Sequence, residues 1–152
     1  MKLVDMDRMV RDVIGIYPAW QPPRVEILIA GTIPVVFANE ALLSQCVSNL
    51  LTNAVKFVAP GAQPKVRIWS ESLDNRVRVW FEDNGVGIAK QNEMRIFRMF
   101  ERIYPANEYD GTGIGLTIVR KAIERMGGKV GFESELGKGS RFWLELRKEK
   151  TE

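Results

Sequence analysis

Three amides and a lysine form a polar stripe along a helical segment that is otherwise largely apolar. Gln45, Asn49 and Asn53 follow one another at four-residue spacing, and Lys56 lies about one turn further on. Side chains at such spacings share one face of a helix. An asparagine carbonyl is a hard oxygen ligand suited to Mg²⁺, which takes its other ligands from water and phosphates, and the lysine would add a positive charge for the same phosphates. The alternative interpretation is a solvated helix face without a ligand.

A second candidate is "EDNGVGI", Glu82 to Ile88, where an acidic residue ends a strand and two glycines follow. The Asp83 carboxylate would accept a hydrogen bond from an exocyclic amine such as N6 of adenine. Gly85 and Gly87 would let the backbone approach a flat ring closely. An ordinary Asn-Gly turn explains the same residues without any ligand, so this segment alone leaves both interpretations open.

A third candidate is "DGTGIGLTIV", Asp110 to Val119, in which three glycines precede a predicted helix. The spacing of Gly111, Gly113 and Gly115 is not the dinucleotide fingerprint, and the later "ELGKGS" is not a P-loop. What remains is a glycine-rich turn that leads into a helix N-terminus, where free N–H groups and the helix dipole favour an anion such as a phosphate. A flexible hinge is the alternative, and it is compatible with phosphate binding.

The segment "IFRMFERI", Ile96 to Ile103, combines aromatic and basic residues at helical spacing. Phe97 and Phe100 are expected to pack a loop onto the domain. Arg98 and Arg102, one turn apart, are either surface charges or bidentate ligands of the phosphates.

Composition limits the classes of protein to which the chain can belong. Its 152 residues fit one domain, and 45% of them are apolar, which is enough for a core. The net charge of +3 falls short of the basic stripe of a nucleic-acid binder. A single cysteine, Cys46, excludes an internal disulfide, and the absence of histidine excludes a histidine nucleophile or base and most zinc sites within the chain. No apolar run is long enough for a transmembrane helix, so we expect this piece to be cytoplasmic, whether or not a longer parent protein is membrane-anchored.

The elements that must position these residues follow from hydrophobic periodicity. Apolar residues at helical spacing predict helices over Val4–Ile16, Glu40–Phe57 and Leu116–Met126, the last ended by Gly127 and Gly128. "VEILIAG" and "PVVFAN" are predicted strands joined by a Gly-Thr turn, and "KVRIWSESL" with "RVRVWFED" and "KVGFESE" with "SRFWLELR" are predicted hairpins. Between them lies a long loop, 84–115, with a short helical piece near 94–100. The order predicts one α/β sandwich, a mixed and largely antiparallel sheet with helices on one face.

The four segments in order identify a family resemblance. "NLLTNAVKF", "DNGVGI", "IFRMFERI" and "GTGIGL" resemble the N box, first glycine box, F box and second glycine box of sensor histidine kinases. The chain is similar to their catalytic ATP-binding domain, of the gyrase, Hsp90, histidine kinase and mismatch-repair ATPase superfamily, from about Leu3 to Leu146. The segment that corresponds to the ATP lid of this family, "FERIYPANEYDGTGIGL" at Phe100–Leu116, is most similar to the phytochrome-type branch. The resemblance implies a Bergerat-type fold over one domain, residues 1–152, with ATP held between a sheet-facing helix and a mobile lid.

The resemblance also implies roles for individual residues. Asn53 matches the Mg²⁺ ligand, Asp83 the adenine-reading aspartate, Lys56 a phosphate contact, and Arg102 the arginine near the γ-phosphate. Asn49 matches the position at which gyrase-like ATPases carry a glutamate general base. Asparagine cannot remove a proton, so the chain resembles a kinase rather than a hydrolase.

Other positions in the boxes would line the nucleotide. Phe57 would lie beside the adenine, the Ser140 hydroxyl would help to hold it through water, and the glycines of the second glycine box would bind phosphate. The candidate nucleotide-binding residues are Asn49, Asn53, Lys56, Phe57, Asp83, Gly85, Gly87, Ile88, Arg98, Arg102, Gly111, Thr112, Gly113, Gly115, Leu116 and Ser140. The candidate catalytic residues are Asn49, Lys56 and Arg102, and the candidate metal ligand is Asn53.

The partners implied by the resemblance lie outside this chain. These kinases phosphorylate a histidine on a separate dimerisation helix pair, and this chain has no histidine. We therefore expect it to transfer the γ-phosphoryl of Mg-ATP to a histidine-bearing domain of a parent kinase, and to act on a response regulator only indirectly. Neither nucleic acid nor membrane is an expected partner, and the isolated piece is expected to be a monomer. The alternatives are a nucleotide-binding pseudokinase and a serine kinase of the anti-sigma type.

Overall fold

Two β-sheets and three α-helices make up the part of the chain that the computed structural model describes, residues 1–90 and 114–149. The helices are α1 (Met6–Ile16), α2 (Glu40–Lys56) and α3 (Ile114–Arg125), and a 3₁₀ turn spans Pro18–Trp20. The strands are β1 (Lys2–Val4), β2 (Glu26–Ile29), β3 (Val36–Ala38), β4 (Lys65–Leu73), β5 (Arg76–Asp83), β6 (Lys129–Glu135) and β7 (Gly139–Arg147). Within these ranges, none of the helices combines the length and hydrophobicity needed to cross a bilayer.

The larger sheet has five strands in the order β2-β4-β5-β7-β6. Its β2–β4 pair is parallel and its other pairs are antiparallel. The helices lie on one side of it, so the predicted α/β class, with a mixed and mostly antiparallel sheet, is confirmed. Both predicted hairpins are also confirmed, because period-two alternation specifies which side chains of each strand face the core.

The N-terminal region differs from the prediction in two respects. The predicted first helix began at Val4, but Val4 pairs with Val36 in β1, and α1 begins only after the Asp5 cap. The strands β2 and β3, predicted as neighbours across a turn, lie in different sheets, since β2 joins β4 and β3 joins β1. The connection between them is tied to α1 instead, because the Asp7 carboxylate accepts a hydrogen bond from the Ile33 backbone N–H at 3.0 Å.

Helix α2 confirms the predicted helix and carries the polar stripe. Its N-terminus is capped by the Asn39 side chain, which accepts a hydrogen bond from the Leu42 N–H at 3.0 Å. Glu40 in the first turn and Lys56 in the last complement the helix dipole. Burial raises the pKa of the Cys46 thiol to about 12, so this side chain is a neutral core residue. The buried face comprises Leu43, Cys46, Val47, Leu50, Leu51 and Ala54.

Helix α3 ends where the sequence predicts, at a glycine pair. Gly127 has a φ of 77°, in the left-handed region that favours glycine. Its N–H donates to the Glu124 carbonyl at 3.0 Å, and the Gly128 N–H donates to the Ile123 carbonyl at 2.9 Å. These two bonds form a Schellman motif, which satisfies the last carbonyls of the helix and turns the chain into β6.

The face of the large sheet opposite the helices carries stacked tryptophans and arginines. The rings of Trp69 and Trp80 stack with their centroids 5.8 Å apart. The Arg78 guanidinium lies 4.0 Å from the centroid of Trp143 and bonds to the Glu145 carboxylate at 2.9 Å. Ring stacking, the cation–π contact and the ion pair therefore link β4, β5 and β7 side by side on this face.

A methyl group at Gly131 should disturb this stacking. A Cβ on Gly131 would overlap the Trp143 ring. We expect Gly131→Ala to lower the free energy of unfolding by about 1–3 kcal/mol through overpacking, as measured by urea denaturation. Gly15→Ala is the matched control, because a Cβ there meets no atom within 4 Å and alanine is favoured in a helix by about 0.5–1 kcal/mol. Equal stability of the Gly131 variant and the parent chain would contradict the packing account.

Candidate functional site

A polar row crosses one end of the large sheet on its helix-covered face. Asp83 on β5 lies opposite Ser140 on β7, which in turn lies opposite Ser134 on β6. Polar groups on a buried face cost free energy unless they are hydrogen-bonded, so this row marks the point at which the apolar core gives way to a site. The next row on the same face, two residues away along each strand, is entirely apolar and consists of Ile68, Phe81, Phe142 and Phe132.

The Asp83 carboxylate is held by one of its oxygens. Its Oδ1 accepts hydrogen bonds from the backbone N–H groups of Gly85, at 2.9 Å, and Ser140, at 3.2 Å. Within residues 1–90 and 114–149, Oδ2 makes no hydrogen bond. The carboxylate is therefore fixed in orientation while one acceptor oxygen is left for a ligand.

The surroundings of Asp83 also favour its neutral form. Burial raises the pKa of the Asp83 carboxyl to about 6. The two backbone hydrogen bonds from Gly85 and Ser140 oppose this shift, and the nearby Glu82 charge adds to it. Above pH 6 the group is a carboxylate, which acts only as an acceptor.

The loop after Asp83 is fastened to the end of α2. The Val86 N–H donates to the Phe57 carbonyl at 2.8 Å. A Cβ on Gly85 would overlap that same carbonyl oxygen, so the first glycine of "DNGVG" permits a close backbone approach. The predicted need for glycine at this position is explained by chain-to-chain contact within the protein.

The other side of the loop is fastened to the β6–β7 turn. The Gly137 N–H donates to the Val86 carbonyl at 2.7 Å. Gly87 has a φ of 75°, and a Cβ there would overlap the Glu135 carbonyl. At the start of β7, Gly139 has a φ of 100° and lies directly against the Asp83 carbonyl. Backbone therefore surrounds the loop on two sides and fixes the position of the carboxylate.

Asn84 has a structural role rather than a ligand-binding one. Its side-chain carbonyl accepts from the Lys65 N–H at 2.8 Å, and its amide donates to the Gln63 carbonyl at 3.0 Å. The chain bends at Gly85, and the Asn84 side chain ties this bend to the segment that leads into β4. This anchoring coexists with the fixed Asp83 carboxylate.

Ser134 was missed by the sequence analysis. Its Oγ accepts a hydrogen bond from the Ile88 N–H at 2.8 Å and lies 2.7 Å from the Ser140 Oγ. Ile88 itself is only 3% exposed and belongs to the core, so its backbone rather than its side chain borders the polar row. The available signal was alternation, because Ser134 is the inward-facing residue two positions after Phe132 on the same strand.

The stripe on α2 keeps its amides free of local partners. Asn49 and Asn53 are partly buried, whereas Gln45 and Lys56 are exposed. In the described parts of the chain, neither asparagine side chain makes a hydrogen bond. Asn53 lies one turn, about 6 Å along the axis, before Phe57, whose carbonyl holds the Asp83 loop. The last asparagine of the stripe is thus one helical turn from the residue that anchors the loop after Asp83.

Several predicted site residues lie outside the described residues, namely Arg98, Arg102, Gly111, Thr112 and Gly113. Of the remaining residues of the second glycine box, Gly115 lies in the first turn of α3 and Leu116 packs in the hydrophobic core at 7% exposure. The structure thus brings together the base-side candidates, Phe57, Asp83, Gly85, Gly87, Ile88 and Ser140, with the α2 stripe beside them.

Comparison with known proteins agrees with this arrangement. Residues 38–150 match the family described as histidine kinase-, DNA gyrase B-, and HSP90-like ATPase. The phytochrome-like protein Cph1 of Synechocystis sp. is 39% identical over 116 residues, which are 76% of this chain and 15% of that protein. The chain thus spans a small fraction of the length of this relative, and the match agrees with the predicted phytochrome-type branch.

Solved structures have the same fold. The catalytic domain of histidine kinase ThkA superposes with a TM-score of 0.80 at 27% identity, covering 97% of this chain and 97% of that one. Full-length ShkA in complex with AMPPNP superposes with a TM-score of 0.76 at 34% identity, covering 95% of this chain and 30% of that one. The two-layer fold and its mixed sheet are therefore those of histidine kinase catalytic domains.

The raised pKa of Asp83 predicts how stability depends on pH. The folded state keeps the proton up to about pH 6, whereas the unfolded state releases it near pH 4, so stability falls as pH rises through this window. An amide at this position mimics the protonated carboxyl group. We expect Asp83→Asn to be more stable than the parent by about 1–2 kcal/mol at pH 8, with the difference vanishing near pH 4.

Thermal denaturation of both chains between pH 4 and pH 8 measures this difference. Asp74→Asn is the matched control, because Asp74 is exposed in the β4–β5 turn, and it should leave the pH dependence unchanged. A stability gain in Asp83→Asn that is the same at both pH values would rule out the burial explanation.

Proposed function

Because the chain belongs to the histidine kinase-, DNA gyrase B-, and HSP90-like ATPase family, we propose that residues 1–152 form one catalytic domain that binds ATP and transfers its γ-phosphoryl group to a histidine. The observation that carries the proposal is the Asp83 carboxylate, fixed through Oδ1 with Oδ2 directed to no group in the described residues. An isolated, oriented acceptor, held in a loop that is packed against backbone on two sides, fits the exocyclic amine of adenine.

The phosphate side of the proposal rests on α2. Asn49 and Asn53 present carbonyl oxygens that no described residue occupies, and such oxygens suit Mg²⁺. Asn53 would hold the ion, which neutralises phosphate charge when bound. Lys56, exposed in the last turn of the helix, would contact the phosphates. Arg98, Arg102 and the glycines of the second glycine box are proposed phosphate contacts on the resemblance alone.

The candidate site residues favour transfer of the γ-phosphoryl group to another protein group over hydrolysis of ATP by water. Asn49 stands where a hydrolase of this superfamily would need a general base, and an amide does not accept a proton from water. Phosphoryl transfer needs mainly positioning and charge neutralisation, both of which the site residues supply. The histidine acceptor must come from another domain, because this chain has no histidine. A response regulator is then an indirect partner, and a cytoplasmic location follows from the need for ATP.

A calorimetric titration with ADP and AMPPNP, with and without Mg²⁺, tests nucleotide binding. We expect saturable 1:1 binding by the parent chain and a loss of about 100-fold in affinity for Asp83→Asn, because the amide would turn a donor toward the N6 amine. Asp74→Asn again serves as the control. Unchanged affinity in the Asp83 variant would exclude the adenine assignment.

The metal assignment has its own test. Asn53→Ala removes the proposed oxygen ligand, so we expect the affinity for AMPPNP to lose most of its dependence on Mg²⁺ while binding without the metal stays the same. Gln45→Ala, two turns earlier on the same stripe and exposed, should keep the parent's Mg²⁺ response. A normal Mg²⁺ response in the Asn53 variant would refute the proposed ligand.

The alternative functions differ in their product. Incubation with ATP and the histidine-bearing domain of a related kinase should give an acid-labile phosphoprotein if the domain transfers to histidine. A domain that binds nucleotide but gives no phosphoprotein would be a pseudokinase. An acid-stable phosphoserine on an added protein substrate would favour the anti-sigma type.

A further inference from the structure

We propose that Ser134 is a positioning residue that makes the Ser140 hydroxyl a hydrogen-bond acceptor toward the base, and so strengthens selection of a 6-aminopurine over a 6-oxopurine. This inference rests on the proposed nucleotide binding and deepens it. Ser134 belongs to none of the family boxes, and alternation places it only on the inner face of β6, so its role is inferred from its contacts.

Three contacts occupy the Ser134 hydroxyl. Its Oγ lies 2.8 Å from the Ile88 backbone nitrogen, 3.1 Å from the Gly139 carbonyl oxygen and 2.7 Å from the Ser140 Oγ. A serine hydroxyl has one proton to donate and two lone pairs to accept with. The Ile88 N–H donates only, and the Gly139 carbonyl accepts only. Only one arrangement of the protons makes all three contacts hydrogen bonds. In it, Ser134 donates to the Gly139 carbonyl and accepts from both the Ile88 N–H and the Ser140 hydroxyl.

This arrangement determines what Ser140 offers to a ligand. Its only side-chain proton is used in the bond to Ser134, so the remaining capacity of its oxygen is to accept. Ser140 is 7% exposed, and its backbone N–H is engaged with the Asp83 carboxylate at 3.2 Å. The side chain is therefore held from both sides, with little freedom to turn its proton elsewhere.

Asp83 and Ser140 then offer two hydrogen-bond acceptors to a ligand without a competing side-chain donor between them. Above pH 6 the Asp83 carboxylate accepts only, and the neighbouring Ser140 oxygen accepts as well. A purine with an exocyclic amine supplies donors to this pair, directly or through a water molecule. A 6-oxo group instead sets a third acceptor against two others, and such unpaired buried acceptors are what a site rejects most strongly.

Loss of the Ser134 hydroxyl would release the Ser140 proton. Ser140 could then rotate and donate to a 6-oxo group, which would weaken discrimination. A purely structural role for Ser134 predicts something different. If it served only to hold the Ile88 N–H, its removal would weaken both kinds of nucleotide equally and leave their ratio unchanged.

The experiment is a calorimetric titration with ADP and with IDP, its 6-oxo counterpart, at pH 8 and fixed Mg²⁺. We expect Ser134→Ala to lower the ratio of ADP to IDP affinity about fivefold, the size associated with one neutral hydrogen bond. Ser134→Thr keeps the hydroxyl and should restore the parent ratio. Ser72→Ala, at an exposed position of β4, is the control for an unrelated serine and should not change it.

A double-mutant cycle shows whether Ser134 acts through Ser140. In a Ser140→Ala background there is no hydroxyl to orient, so adding Ser134→Ala should not change the affinity ratio further. The inference is overturned if Ser134→Ala leaves the ratio at its parent value, or if it lowers the ratio equally with and without Ser140. If the parent chain binds neither nucleotide, the proposed function itself fails. If it binds ADP and only the test of the affinity ratio fails, the positioning role of Ser134 is refuted and the proposed function is not.

Discussion

The pairing register between β5 and β7 is the constraint on which the rest of the site depends. It sets Asp83 opposite Ser140, so that the Ser140 N–H reaches the Asp83 Oδ1 at 3.2 Å. A slip of one residue would turn every side chain of the strand to the other face. The buried acid would then be Glu82, which in this register lies on the outer face and pairs with Arg141 at 2.6 Å. Strand alternation thus decides which of two adjacent carboxylates is desolvated.

The register is itself held by the apolar rows behind the site and by the outer face of the sheet. Phe81 and Phe142 pair directly behind the Asp83–Ser140 pair, and the stacked Phe132 ring extends that row. On the opposite face, Arg78 ties β5 to β7 through Trp143 and Glu145. Two independently packed surfaces therefore fix the strands, which allows the last row to be polar without loosening the sheet.

Periodicity and turn residues predicted much of the fold, because the elements concerned carry their own local determinants. The hairpins alternate strictly, α2 has a continuous apolar face, and the end of α3 has the glycines that its Schellman motif needs. The prediction failed at the N-terminal strands for the opposite reason. β1 and β3 are three residues each, and their pairing joins residues distant in sequence, such as Val4 with Val36.

The site residues also divide into those that the local sequence predicts and those that depend on contacts distant in sequence. The place of Asp83 on the inner face at the end of β5 was predictable from strand alternation. The segment "EDNGVGI" alone left a turn and a binding site open, and only the order of the boxes implied a role for Asp83 in nucleotide binding. Ser134 was not predictable, since a serine in a strand is unremarkable until the register places it opposite Ser140. The phosphate side depended on the order of the boxes, and part of it, including Arg102 and Gly111, lies outside the described residues.

The pKa of Asp83 connects the stability of the fold with ligand recognition. Burial leaves the carboxylate poorly solvated, which is why its pKa is raised to about 6, and the folded state bears that free-energy cost at neutral pH. An amine that donates to Oδ2 supplies the hydrogen bond that water would have given. Binding should therefore favour the ionised form and lower this pKa. The group whose desolvation lowers the stability of the fold at neutral pH is thus the group that an amine donor to Oδ2 would stabilise, which supports the proposed preference for such a donor.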